Sequence, residues 1–186
     1  NILKFSKKCK AKIVYAGSST KFSDAGVNKF KSPYAFSKWQ NSELIKYYCE
    51  NNNIKYAIAY FYNVYGEREN AEGEFATVIA KFLQKKKQGI SLQVTLPGSQ
   101  ERNFTYIKDT ISALDLIAKT GEGDEFGIGN HKSYSIIEVA KMISSDITFL
   151  PKNSANRINS KLITDKTIKL GWKAKFSLED YIRRYI

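Results

Sequence analysis

Short apolar runs alternate along the chain with longer amphipathic segments. The run Ala11-Lys-Ile-Val-Tyr-Ala16 is rich in strand-forming residues and ends in small ones, which is typical of a buried parallel strand. Ser32 followed by Pro33 predicts a helix start, and apolar positions at mixed three- and four-residue spacings extend that helix to Glu50. A second buried strand is predicted over Tyr56–Tyr62.

The later part of the chain continues this alternation with shorter elements. Strands are predicted over 91–96 and around Phe149. Helices are predicted over 75–86, 105–119 and 136–144 and from Ser177 onward, and the capping box Ser135-Ile-Ile-Glu138 opens the third of them. The pattern therefore predicts an α/β fold, with a parallel sheet in the first third and a mixed lobe after it.

Composition narrows the class of protein. A hydrophobic fraction of 42% indicates a packed globular chain, and no apolar run reaches the length of a membrane span. Cys9 and Cys49 have no metal-ligand spacing, so we expect reduced thiols in a cytoplasmic protein and no membrane partner. The single histidine, His131, excludes multi-histidine metal sites, and no metal is expected.

The net charge of +12 raises the question of nucleic-acid binding. The lysines are scattered, however, and their longest run is only Lys85-Lys86-Lys87. A solvated, lysine-rich surface is therefore favoured, with no nucleic-acid partner. The positive field would still attract a diphosphate substrate.

Tyr34-Ala-Phe-Ser-Lys38 is the segment with the clearest chemistry. Four residues apart on a helix, Tyr34 and Lys38 project from the same face. A neighbouring ammonium group favours the phenolate form of a tyrosine, which can then act as a base. With 12 tyrosines in the chain the spacing alone is weak, and the alternative is a solvent-facing pair.

The surrounding segments strengthen this interpretation. They are Ile13-Val-Tyr-Ala-Gly-Ser-Ser-Thr20, Phe61-Tyr-Asn-Val-Tyr-Gly66, Gly98-Ser-Gln-Glu-Arg-Asn-Phe-Thr-Tyr-Ile-Lys-Asp109 and Leu170-Gly-Trp172. In this order, with the Tyr-Lys pair, they resemble the extended short-chain dehydrogenase/reductase family, in particular the NAD-dependent sugar-nucleotide epimerases and dehydratases. The resemblance implies the C-terminal part of a Rossmann-type sheet over 1–66. It also implies a mainly substrate-binding lobe over 67–186, with some segments returning to the sheet.

The resemblance also implies catalytic and cofactor roles. Tyr34 would take the proton from a sugar hydroxyl, and Lys38 would hold the nicotinamide ribose of NAD and tune Tyr34. Ser18 would hydrogen-bond the same sugar oxygen, although a turn-forming serine is the alternative. The backbone of Tyr62 would touch the nicotinamide.

Three further residues match substrate contacts of the family. Asn63 would meet the diphosphate of a nucleotide sugar, and Arg102 would grip a phosphate with its planar fork. Arg157 is expected to make a second phosphate contact or to be a surface arginine. Leu170-Gly-Trp172 fits packing better than binding.

The sequence departs from the family in three respects. It contains no G-x-x-G-x-x-G turn for the pyrophosphate, so we expect a missing N-terminal half, as in a truncated product, a gene fragment or a split enzyme. The interval between Ser18 and Tyr34 is shorter than usual. Ser19 and Thr20 replace the acidic pair of the dehydratases, which disfavours the elimination of water.

These observations favour NAD-dependent 4-epimerisation of a nucleotide sugar through a 4-keto intermediate. A reductase or dehydratase of the same family is the near alternative. A non-catalytic or split-enzyme half that binds a nucleotide sugar or a partner chain is the alternative from another class. The resemblance also implies a homodimer, because members of the family often pair through a helical bundle that includes the Tyr-Lys helix.

Overall fold

The computed structural model describes residues 1–23, 27, 30, 32–73, 76–152 and 161–186. Its helices are α1 (Ile2–Cys9), α2 (Pro33–Asn51), α3 (Val78–Lys87), α4 (Ile107–Thr120), α5 (Ile136–Ile143), α6 (Asp165–Lys169) and α7 (Leu178–Ile182). Its strands are β1 (Ile13–Ser18), β2 (Tyr56–Phe61), β3 (Val64–Tyr65), β4 (Leu92–Thr95), β5 (Glu101–Asn103), β6 (Thr105–Tyr106), β7 (Gly123–Ile128), β8 (Ser133–Ser135) and β9 (Ile147–Leu150). A short 3₁₀ helix, Ser19–Phe22, follows β1 directly.

The main sheet is parallel and has the strand order β1-β2-β7. Its centre, β2, buries Ala57 to Tyr60 almost completely, because helices cover both faces. Ile58 and Tyr60 pack toward α2, whereas Ala57 and Ala59 pack with residues of α4. Ser18 at the end of β1 lies opposite Phe61 at the end of β2, so the residues that follow both strands meet at one edge.

A second packed region is built from three two-stranded ladders. β3 pairs with β6 and β4 with β9 in parallel, whereas β5 and β8 are antiparallel. Their core is an apolar cluster that α3, α5 and α7 complete, and it contains Tyr65, Phe82, Leu92, Tyr106, Val139 and Tyr181.

Most of the predicted elements are confirmed, with shifted ends. The Ser32 side chain caps α2, and the Ser135–Glu138 capping box opens α5. The helix predicted from residue 75 begins at Val78, and the one predicted from residue 105 begins at Ile107 because Thr105 and Tyr106 pair as β6. The first strand continues past Ala16 to Ser18, since pairing with β2 overrides the poor strand propensity of Gly17.

Several elements were not predicted, among them α1, α6, β7 and β8. Helix α1 was missed because its eight residues carry only a short apolar stripe, with Ile2 and Phe5 exposed. Strand β7 was missed because the stretch from Gly121 to Gly129 is rich in glycine, which is depleted in strands. The predicted α/β class is confirmed, and β7 shows that a segment beyond residue 66 returns to the main sheet. No helix among the described residues is long and apolar enough to cross a membrane.

Candidate active site

Ser18 stands at the carboxyl end of β1, where the chain turns into the 3₁₀ helix. Its hydroxyl oxygen accepts a hydrogen bond from the Thr20 hydroxyl at 2.9 Å and faces the Thr20 amide at 3.4 Å. Ser18 therefore caps the turn that follows β1, which is the alternative role given for it above. Its hydroxyl proton is not used as the donor in either contact, so it can still be donated to a ligand.

Lys38 reaches from α2 to the same edge of the sheet. Its ammonium group donates to the carbonyl oxygen of Ala16 at 3.0 Å and lies 5.2 Å from the centre of the Tyr15 ring. Lys38 and Ser18 line one closed crevice, too tight to admit a water molecule, together with Thr20, Trp39, Ser42 and Tyr60. The structure thus brings together two of the three predicted catalytic residues.

Tyr34 lies one helical turn before Lys38 and does not line that crevice. Its position is set by the start of α2, where the Ser32 hydroxyl oxygen accepts from the Ala35 amide at 3.1 Å. The side chain is 60% exposed. The phenol is therefore open to a ligand, on the helix face expected from its four-residue spacing to Lys38.

A charged network borders the crevice. The Lys21 ammonium donates to the Asp124 carboxylate at 2.6 Å and to the Tyr60 hydroxyl at 3.0 Å, and that hydroxyl donates to Asp124 at 2.7 Å. Lys46 of α2 adds an ion pair with Asp124 at 3.6 Å. Burial raises the pKa of Asp124, but the hydrogen bonds from Lys21 and Tyr60 outweigh it and hold that pKa below its ordinary value.

This network joins the turn after Ser18, the helix that carries Lys38 and the first residues of β7. Sequence reasoning missed it because Lys21 and Asp124 are 103 positions apart. The sequence offered one indication of this network, the charged Lys21 directly after the β1 motif. Its partner Asp124 lies in no recognisable sequence pattern.

Tyr62 and Asn63 follow β2 and differ in their surroundings. The Tyr62 side chain is fully buried, and its hydroxyl donates to the Lys161 carbonyl at 2.8 Å. The Tyr62 amide donates to the Ile128 carbonyl at 3.1 Å, and its own carbonyl accepts from the Thr105 hydroxyl at 2.9 Å. Asn63 has a positive φ of 39°, and its side-chain amide donates to the Asn103 carbonyl at 3.1 Å.

Asn63 and Arg102 border a cavity of about 420 Å³, which β4, β5 and α3 help to form. Arg102 lies on β5, and its guanidinium donates to the Glu101 carbonyl at 2.7 Å. Lys81 and Lys85 of α3 line the same cavity and were not predicted, although their four-residue spacing places them on one helix face. Three cationic side chains make this cavity suited to an anion. Arg157, the other predicted phosphate contact, lies outside the described residues.

Residues 1–129 match the model of the NAD dependent epimerase/dehydratase family, which is well over half of the chain. The chain belongs to this family. The resemblance expected from the sequence is confirmed, and the family is one of NAD-dependent enzymes.

Curated relatives support this membership in the epimerase/dehydratase family. A protein of Methanocaldococcus jannaschii described as a candidate UDP-glucose 4-epimerase is 33% identical over 161 residues, which cover 83% of this chain and 52% of that protein. The dTDP-D-glucose 4,6-dehydratase of Mus musculus is 26% identical over 188 residues, which cover 93% of this chain and 52% of the relative. The chain thus spans about half the length of the relatives it matches.

Solved structures show the same fold. The UDP-glucose 4-epimerase of Thermotoga maritima, determined with UDP-glucose, aligns with a TM-score of 0.88 at 22% identity and covers 99% of this chain and 65% of its own. The dTDP-glucose 4,6-dehydratase of Bacillus anthracis, determined with NAD, aligns with a TM-score of 0.87 at 18% identity and covers 99% of this chain and 63% of its own. The Rossmann-type α/β architecture expected from the resemblance is confirmed.

The residues present fit one end of the NAD that this family uses. The carboxyl ends of parallel strands are where such sheets bind nucleotides, and Ser18 and Lys38 lie at that edge. The Lys38 ammonium group donates one hydrogen bond to the Ala16 carbonyl, and its two other protons can be donated to further acceptors, such as ribose hydroxyls. The glycine-rich turn that would receive the pyrophosphate is not among the residues of this sequence.

Proposed function

We propose that the protein containing this chain catalyses NAD-dependent 4-epimerisation of a nucleotide-diphosphate sugar in carbohydrate metabolism. The observation that carries the proposal is the placement of two sites at one sheet edge. The Ser18–Lys38 crevice lies at the end of β1, and Asn63 begins the cationic cavity two residues beyond Phe61, the register partner of Ser18.

In the proposed reaction Tyr34, as phenolate, takes the proton from the C4 hydroxyl of the sugar. Lys38 stabilises the phenolate and orients the nicotinamide ribose, while the Ser18 hydroxyl donates a hydrogen bond to the reacting oxygen. NAD, held at its nicotinamide end by Lys38 and the Tyr62 backbone, would supply the hydride acceptor and donor for C4, with a 4-keto sugar between the two transfers. Ser19 and Thr20 supply no carboxylate for elimination, which favours epimerisation over dehydration.

The nucleotide and diphosphate would occupy the cavity of about 420 Å³. Asn63, Arg102, Lys81 and Lys85 supply donors and positive charge for the phosphates, and Arg157 is proposed as a further phosphate contact. Tyr62 would contact the nicotinamide through its carbonyl, which has a second lone pair beyond the one used by Thr105.

The division of the chain at residue 66 into a cofactor-binding and a substrate-binding part belongs to the same proposal. The proposal also includes a further protein segment that holds the rest of NAD, and a homodimeric assembly. The proposal that a second segment is required rests on the absence of the glycine-rich turn from this sequence.

The first test replaces Tyr34 by Phe in the intact protein. Removing the hydroxyl removes the base, so turnover of UDP-glucose to UDP-galactose should fall by about 10²- to 10⁴-fold, while affinity for UDP stays unchanged. Tyr47→Phe is the matched control, since Tyr47 is an exposed tyrosine on the same helix. Full turnover in the Tyr34 variant would rule out its role as base.

A second candidate function is a non-catalytic or split-enzyme half that binds a nucleotide sugar or a partner chain without turnover. It predicts nucleotide-sugar binding with no exchange of the C4 configuration, even with NAD present. A reductase or dehydratase of the same family is distinguished by its product, since the sugar would leave reduced or dehydrated.

A further inference from the structure

The turn that carries Ser18 continues into one turn of 3₁₀ helix. Ser18 is the N-cap of this helix, and its hydroxyl oxygen contacts the hydroxyl and amide of Thr20, two residues ahead. These contacts fix the turn internally but do not attach it to the sheet. A 3₁₀ helix has three residues per turn, so Lys21 lies one turn after Ser18 and on the same side.

Lys21 attaches this turn to the two neighbouring strands. Its ammonium group donates to the carboxylate of Asp124 in β7 at 2.6 Å and to the hydroxyl of Tyr60 in β2 at 3.0 Å. The side chain is only 17% exposed, and the ammonium lies 5.0 Å from the centre of the Tyr60 ring. Charge-assisted hydrogen bonds of this kind hold a position more firmly than an ion pair between solvent-exposed side chains does.

The Tyr60 ring lies against the backbone on both sides of Ser18. On one side, a Cβ atom built on Gly17 would come within 2.7 Å of this ring. On the other side, the Phe22 ring packs edge-on against it, with ring centroids 4.8 Å apart. Tyr60 and Lys21 therefore form one support for the turn, and a shift of Lys21 would be passed on to the Ser18 hydroxyl.

Lys38 has an anchor of its own. Its ammonium donates to the Ala16 carbonyl at 3.0 Å, and its backbone carbonyl accepts from the Ser42 hydroxyl at 3.0 Å. Neither contact involves Lys21, so the loss of Lys21 should displace Ser18 more than Lys38. Lys46 would still lie 3.6 Å from the Asp124 carboxylate, which keeps this buried charge paired.

We propose that Lys21 is a positioning residue for the reaction: it holds the Ser18 hydroxyl where that group donates to the reacting sugar oxygen. This inference rests on the proposed function and adds to it a residue that does not touch the substrate. A misplacement of about 1 Å at a reacting group can cost about 10²-fold in rate, so the effect of a small shift is measurable.

The test replaces Lys21 by Met in the intact protein and measures turnover of UDP-glucose to UDP-galactose, alone and together with Ser18→Ala. Met keeps an apolar stem but donates no hydrogen bond. The kcat should fall about tenfold, while the KM for UDP-glucose and the affinity for NAD stay the same. In the Ser18→Ala background the replacement should cause no further fall, because the hydroxyl that Lys21 positions is already gone.

Lys55→Met is the matched control. Lys55 precedes β2 and pairs with Glu122 before β7 at 2.6 Å, so the variant loses the same charge between the same strands, at the end opposite to Ser18. It should leave kcat unchanged.

Tyr60→Phe is a second variant, which decides the inference if Lys21→Met does not fold. It removes one acceptor of the Lys21 ammonium and keeps the buried ring in place. The kcat should fall about threefold, again without a further fall in the Ser18→Ala background.

Two kinetic results would overturn the inference. A wild-type kcat in these variants would show that Ser18 keeps its place without Lys21. An equal fall of kcat in the wild-type and Ser18→Ala backgrounds would mean that Lys21 supports the fold in general rather than Ser18. If the wild-type protein neither turns over UDP-glucose nor binds UDP, the proposed function fails and the inference with it, which is recognised before any variant is made.

Discussion

At the scale of single residues, Gly127 lies where two stretches of backbone meet. It is part of β7, and a Cβ atom built on it would overlap the carbonyl oxygen of Ile163 and come within 3.4 Å of the Tyr62 ring. The Tyr62 hydroxyl accepts from the Ile163 amide at 3.1 Å, so the approach of this segment is fixed from both sides. The position therefore requires glycine for space rather than for backbone freedom.

We expect Gly127→Ala to lower the free energy of unfolding by about 2 kcal/mol or more, because backbone cannot yield as a side chain can. Denaturant unfolding measures this. Gly89→Ala is the control: it is in open space at φ 69° and carries only the strain of a left-handed backbone, about 1 kcal/mol. A smaller effect at Gly127 than at Gly89 would contradict the close packing.

The sequence could predict residues whose partners are near in the chain, but not those whose partners are distant. Tyr34 and Lys38 share a helix face by spacing alone, and Asn63 and Arg102 follow recognisable strand ends. The contact of Lys21 with Asp124 and the burial of the Glu69 carboxyl group depend on tertiary packing. No periodicity or motif encodes such long-range pairs.

At the scale of elements, Asp109 ties α4 to the segment before α7. It is 2% exposed, and its carboxylate accepts from the amides of Lys175 and Phe176 at 3.0 to 3.1 Å. Its backbone carbonyl accepts from the Trp172 indole at 3.1 Å. Leu170-Gly-Trp172 is thereby confirmed as a packing motif.

Asp109→Asn should destabilise the fold by about 2 kcal/mol. The NH₂ group of the new side chain would face one of the two backbone amides that now donate to the carboxylate, so that one hydrogen bond is lost. Thermal unfolding measures the change. Asp115→Asn on the same helix is the control: it loses only a surface ion pair with Lys119, which contributes about 0.5 kcal/mol. Equal effects of the two variants would show that the buried contacts do not stabilise the junction.

Among the elements, the predictions succeeded where local signals were strong. The proline and serine at the start of α2 and the capping box of α5 fixed those helix starts to within a residue. Strand β7 was not predicted, since Gly127 is required by its contacts with Tyr62 and Ile163, which are far away in the chain. Its strand state comes from pairing with β2 rather than from propensity.

At the scale of the whole molecule, one ionic network connects the parts that form the candidate active site. Asp124 lies in β7 at its register shift against β2, and Lys21 follows Ser18. Tyr60 belongs to β2, and Lys46 belongs to the helix that carries Lys38. The Tyr60 ring also approaches within 2.7 Å of a Cβ built on Gly17, next to Ser18. Loss of this network should therefore weaken the sheet edge as a unit.

The pH dependence of stability tests this connection. The folded-state pKa of Asp124 lies below its unfolded value of about 3.9, so its contribution is complete above about pH 4 and disappears as pH falls through the folded pKa. Asp124→Asn should then cost about 1 to 3 kcal/mol at neutral pH, and the difference from the wild type should shrink progressively below pH 4. Urea unfolding at several pH values measures it, with Glu125→Gln as the exposed neighbouring control. A gap that stays constant through the acid range would mean that the Asp124 charge does not stabilise the sheet edge.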